Sequence, residues 1–106
     1  VTDITVKKTS LGREIYIKGH AGDGVQKEGS VVCAAISTLA QTLAQNLFDY
    51  EDEGEVDIIG VSLKSGDAYF NYVTDNEDVN KVVDGICKGF YLVSDSFPER
   101  VAFDII

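Results

Sequence analysis

Two side chains in this sequence have types and settings that could do chemistry together: the single imidazole, His20, and the thiol of Cys33. A cysteine attacks a carbonyl as its thiolate, and a nearby imidazole can take the thiol proton and later give one to a leaving amine. With one histidine in the chain, any such partnership must use His20. Cys33 falls in SVVCAAISTLAQTLAQNLF, residues 30–48, which has no glycine or proline. Val32, Ile36, Leu39, Leu43 and Leu47 recur there at spacings of three and four, so the pattern predicts an amphipathic helix with Ser30 as N-cap and Cys33 in the first turn. At that place the helix dipole favours a thiolate, and the amides after Cys33 could donate to an oxyanion. Small Ala34 and Ala35 leave room for a substrate. Ser37, one turn on, shares the side of Cys33 and could bond a sulfur, a water, a carbonyl or its own helix.

The elements that must position this pair follow from the alternation of residues. Ile4 to Lys7 and Ile15 to Lys18 alternate apolar with polar around a turn at Thr9–Arg13, which predicts a β-hairpin with His20 just beyond its second strand. Gly19, Gly22, Gly24 and Gly29 punctuate the following segment, so a loop is expected between His20 and the helix. Asp23 and Glu28 in that loop could orient the imidazole through its second nitrogen, or stand as solvated carboxylates. After the acidic run Asp49–Glu55, taken as an exposed connection, Asp57–Leu63 and Ala68–Val73 flank Lys64-Ser65-Gly66-Asp67 as a second hairpin. A second helix is predicted from about Asp75 to before Pro98, with Val79, Val82, Val83, Ile86, Phe90 and Val93 as its stripe. Val101–Ile105 supplies a last strand. The expected fold is therefore α+β, a two-layer sandwich in which two helices cover one face of a mainly antiparallel sheet, in the order ββαββαβ.

Length and composition set the outer limits. A chain of 106 residues suits one domain over 1–106, and 44% apolar content can build its core without disulfide staples. Cys87, beside Val83, Ile86 and Phe90, is expected as a small buried hydrophobe, and the tyrosines as core, with Tyr69 or Tyr72 as candidates to line a groove. The uninterrupted apolar runs are too short for a bilayer and the start lacks a leader pattern, so a soluble, cytoplasmic protein without membrane contact is expected. The net charge of −9 disfavours nucleic acid and favours encounter with a basic protein. No metal-ligand spacing or phosphate-binding motif is present, so no cofactor and no metal is expected.

The run GHAGDGVQKEGSVVCAAISTLAQTLAQNL resembles the central motif of the ribosomal-processing cysteine protease family, Prp. Gly19-His20-Ala21, Gly29 of the loop, Val32-Cys33-Ala34-Ala35, and Ser37 with Leu39 carry the match. A fainter likeness continues through Gly85–Val93 and Phe97-Pro98-Glu99-Arg100-Val101. The resemblance implies a homodimeric bacterial endopeptidase that removes a short N-terminal extension from a basic large-subunit ribosomal protein, the twenty-seventh of its series. It implies Cys33 as nucleophile, His20 as base, and Gly22–Gly29 as a cover that orders over the peptide, while Ser30, Ala34 and Ser37 are expected in support from their places around Cys33. Many family members carry aspartate where this chain has Ser30, which leaves Glu28 as a substitute or the capping role of Ser30 alone. The alternative from a different class is a dimeric ribosome-associated protein that holds a basic partner without cutting it.

Overall fold

Alternation of side chains along each strand decides which face of the sheet is buried. A computed structural model describes residues 1–20 and 27–106. Its elements are β1 (Thr2–Lys8), β2 (Gly12–Gly19), α1 (Lys27–Asp52), β3 (Asp57–Lys64), β4 (Asp67–Val73), α2 (Glu77–Ser96) and β5 (Val101–Ile105), the expected ββαββαβ order. The strands form one sheet in the order β3-β4-β2-β1-β5, antiparallel except for the β1–β5 pair. On one face Ile4, Val6, Ile15, Ile17, Phe70 and Tyr72 are buried in register beneath α1 and α2, which contribute Val32, Ile36, Leu43, Leu47, Val79, Val83 and Phe90. The opposite face is polar. It carries the cross-strand ion pairs Lys7–Glu14 at 3.8 Å and Lys18–Asp67 at 3.1 Å and a tilted Tyr16–Tyr69 contact.

Three boundaries differ from the sequence expectation, each for a local reason. The first helix begins at Lys27 rather than after Ser30, so Gly29 and Ser30 lie inside its first turn and Ser30 is not the N-cap. Its other end passes the acidic run and stops only where Gly54 turns left-handed, with φ of +75°. There the Gly54 amide donates to the Glu51 carbonyl and the Glu55 amide to the Tyr50 carbonyl, the paired bonds of a glycine-terminated helix end. Asp49 is tied down within the helix by the Gln45 side-chain amide at 2.9 Å. By length and composition Gly29–Asp52 would suffice to cross a membrane, contrary to what the uninterrupted apolar runs suggested, yet here its apolar stripe covers the sheet. The second helix opens as its sequence indicates. The Asn76 side chain caps it by accepting from the Asp78 amide.

The third difference is Arg13, placed by its sequence in a turn but buried at the start of β2. Its guanidinium donates to both carboxylate oxygens of Asp84 on α2, at 2.9 and 3.0 Å, and to the Gly12 carbonyl at 2.7 Å. This fork anchors α2 to the sheet. A bond from Tyr72 Oη on β4 to Asn80 Oδ1 at 2.7 Å ties α2 to the sheet a second time, inside the core.

Chiefly through the bond from Arg13, the Asp84 carboxyl is held below its ordinary range. The folded chain therefore binds fewer protons than the unfolded one below about pH 5, and this part of the stability is lost as pH falls through the lowered value. Asp84→Asn is expected to cost about 1–2 kcal/mol at neutral pH, discounted for the partial exposure of the carboxylate. Urea unfolding across the acid range should also show a shallower loss of stability for the variant than for the parent.

Candidate active site

Cys33 reaches its position because Val32 and Ile36, on either side of it, are drawn into the core, leaving the thiol half-buried at the margin of the apolar stripe. His20 follows β2 directly and is exposed. The chain delivers it through Gly19, in the left-handed region at φ +95°, whose amide donates to the Gly66 carbonyl at 2.9 Å. This bond ties the end of β2 to the turn between β3 and β4.

His20 and Cys33 line one cavity of about 650 Å³, open to solvent at the end of the sheet. One wall is the face of α1 that carries Cys33, Ser37, Gln41, Gln45 and Phe48, and the other is the hairpin end from Leu63 to Ala68. From Cys33 to Phe48 that face runs about 22 Å, long enough to lie along several residues of an extended peptide. Ser37 lines the cavity and its Oγ accepts a bond from Gln41 Nε2 at 3.1 Å, and a hydroxyl that accepts one bond keeps the capacity to donate another. Phe48 and Leu63 remain partly exposed on the two walls and give the cavity an apolar stretch.

Several expectations need correction. Counted from Lys27, Cys33 is the seventh residue of α1 and stands in its second turn. Its own amide and that of Ala34 are therefore at positions where carbonyls four residues earlier take them, so they are not free oxyanion donors, and the dipole effect of a first turn does not apply in full. Ala34 faces solvent, its carbonyl accepting from Thr38 Oγ1, and is not among the residues lining the cavity. Neither are Gly29 and Ser30. Among the described residues inferred from sequence as supporting, Ser37 lines the cavity. Gly22 and Asp23 lie outside the described residues, as does the side chain of Glu28, and the expected cover from Gly22 to Gly29 is helical from Lys27 onward.

Tyr72 is core, and Tyr69 stands on the polar face beside Tyr16, so neither lines this cavity. Gln41, Gln45 and Phe48 were not singled out from the sequence, although their spacing to Cys33 along one helical face made them legible. The hairpin wall was not legible, because its place depends on long-range strand pairing.

The two thiols differ sharply. Cys87 is buried on α2, and burial pushes its thiol up to about 12.

A family model described as cysteine protease Prp matches residues 1–102. Among solved structures, SMU.848 from Streptococcus mutans is 21% identical with a TM-score of 0.73, the match covering 100% of this chain and 94% of that one. The ribosomal processing protease Prp of S. aureus in complex with a covalently linked product peptide is 15% identical with a TM-score of 0.70. The same protease with a substrate peptide is 10% identical with a TM-score of 0.75, and both matches cover 100% of each chain. At these identities the likeness establishes a shared fold. A search of curated proteins returns no match.

The contrast between the thiols is directly measurable. Cys87 is shut away from solvent and burial raises its thiol, whereas Cys33 lies half-buried at the open cavity, so iodoacetamide should label the folded protein once, at Cys33, and twice in urea. Mass spectrometry of native protein showing equal labelling of Cys87 would contradict the packing described.

Proposed function

Because the chain belongs to the cysteine protease Prp family, we propose that it is an endopeptidase that removes the short N-terminal extension of a bacterial large-subunit ribosomal protein, the twenty-seventh of its series, with Cys33 as nucleophile and His20 as base. The observation that carries the assignment is that the only imidazole of the chain and the half-exposed thiol line the same solvent-open cavity.

In this reading the peptide lies extended between α1 and the β3–β4 hairpin. His20 takes the Cys33 proton, the thiolate attacks the scissile carbonyl, and the tetrahedral intermediate collapses as the imidazolium gives its proton to the leaving amine. Water activated by the neutral imidazole then hydrolyses the thioester and frees the thiol. The Ser37 hydroxyl, one turn beyond the sulfur, supports the substrate by donating to a peptide carbonyl. The Phe48–Leu63 stretch receives apolar side chains of the peptide.

A basic ribosomal precursor also suits a chain of net charge −9, since opposite charge speeds encounter while the cleft selects the bond. The family resemblance supports a cytoplasmic homodimer, for which sedimentation at micromolar concentration is the direct measurement.

Incubation with the full-length precursor should yield one new N-terminus by mass spectrometry. Cys33→Ala and His20→Ala should each slow the cut by at least about a thousandfold while retaining the parent's circular dichroism. Undiminished cleavage by Cys33→Ala would remove the nucleophile assignment. A precursor that binds the parent yet stays intact would favour the holding protein over the peptidase.

A further inference from the structure

The turn opposite the cysteine holds a glycine that conformation alone does not explain. Ser65 and Gly66 join β3 to β4 as a two-residue loop between the paired Lys64 and Asp67, and Gly66 is left-handed at φ +73°. A left-handed residue is ordinary for such a turn, and asparagine could serve there too. The space beside its Cα is not ordinary. A Cβ on Gly66 would stand 2.5 Å from Nε2 of His20, 2.9 Å from Cε1 and 3.2 Å from Cδ2, all inside the contact distance of about 3.5–4.0 Å between unbonded heavy atoms. The imidazole thus occupies the volume that any side chain at residue 66 would fill. The carbonyl of the same glycine accepts the amide of Gly19, the residue before His20, at 2.9 Å.

We propose that Gly66 is a positioning residue for the His20 imidazole. Its carbonyl fixes the backbone that carries the ring, and its bare Cα provides the surface on which the ring rests, so the hairpin turn sets where the base stands relative to the cleft wall that carries Cys33. The proposal rests on the assignment of His20 as the base. His20 is exposed, so a methyl at residue 66 displaces the ring rather than the fold.

Gly54 provides the control. It has nearly the same backbone, φ +75°, but a Cβ there meets nothing within 4 Å. Gly54→Ala therefore introduces the same left-handed strain without touching the imidazole, and Gly66→Ala introduces both. Gly66→Asn, which tolerates the left-handed region, keeps the steric effect with less strain and serves if Gly66→Ala folds poorly.

The probes are a peptide spanning the extension junction of the ribosomal precursor and the NMR signals of the imidazole, which are unambiguous because the chain has one histidine. For Gly66→Ala and Gly66→Asn, kcat should fall about tenfold or more with KM within about twofold, as expected when a reacting group is misplaced rather than substrate binding lost. The imidazole signals should shift in both variants, while Gly54→Ala leaves kcat and signals as in the parent. Parent-like kcat and parent-like imidazole signals in both Gly66 variants would overturn the proposal. If the parent cuts no such peptide, the peptidase reading fails by itself, and the imidazole signals still decide whether Gly66 seats His20.

Discussion

Everything in this molecule follows from the need to cover one apolar face of a five-stranded sheet. Ile4, Val6, Ile15, Ile17, Phe70 and Tyr72 occupy alternate positions on three adjacent strands, and a shift of one residue in any pairing would turn a whole set of them to solvent. Burying them stabilises the fold by far more than any single polar contact. The register is therefore rigidly specified, and with it the level at which each strand ends. The end of β2, and so His20, falls beside the turn that reverses the chain from β3 into β4.

The same requirement orients the first helix. Val32, Ile36, Leu43 and Leu47 must face the sheet, and this leaves Cys33 and Ser37 at the flank of the stripe instead of beneath it. Neither residue is a fully buried part of the core, and neither is remote from it. The site is thus assembled from three segments distant in sequence: a strand end, the flank of a helix and a hairpin turn. Their meeting is enforced by core packing.

Much of this was legible from the residues alone. Alternation and three-four spacing located every strand and both helices, and the motif around His20 and Cys33 pointed to the pair that lines the cavity. Misplaced features had physical causes. Glycines 24 and 29 with charged neighbours read as a loop, but the helix begins at Lys27, which moved Cys33 from the first turn to the second and removed Ser30 from its capping place. Asp49 to Asp52 looked like a solvated connection because acidic residues are disfavoured at a helix end, yet a glycine three residues past Glu51 terminates the helix with two backbone bonds. Arg13 looked like a turn residue, since the carboxylate that lets it be buried lies seventy-one positions away. Gly66 carried no local sign of its neighbour for the same reason: His20 meets it only through the β2–β4 pairing.

One irregularity of the sheet bears on what can approach it. β3 is an outer strand, and its register slips between Ile58 and Gly60, leaving Ile59 bulged outward and exposed. An outer strand offers its free amides and carbonyls to any extended polypeptide, including a misfolded copy of itself. The extra residue breaks that offer into two short pieces and bends the strand between them. A passing chain finds no continuous template there, so promiscuous sheet extension and fibre growth are disfavoured along the margin nearest the cleft.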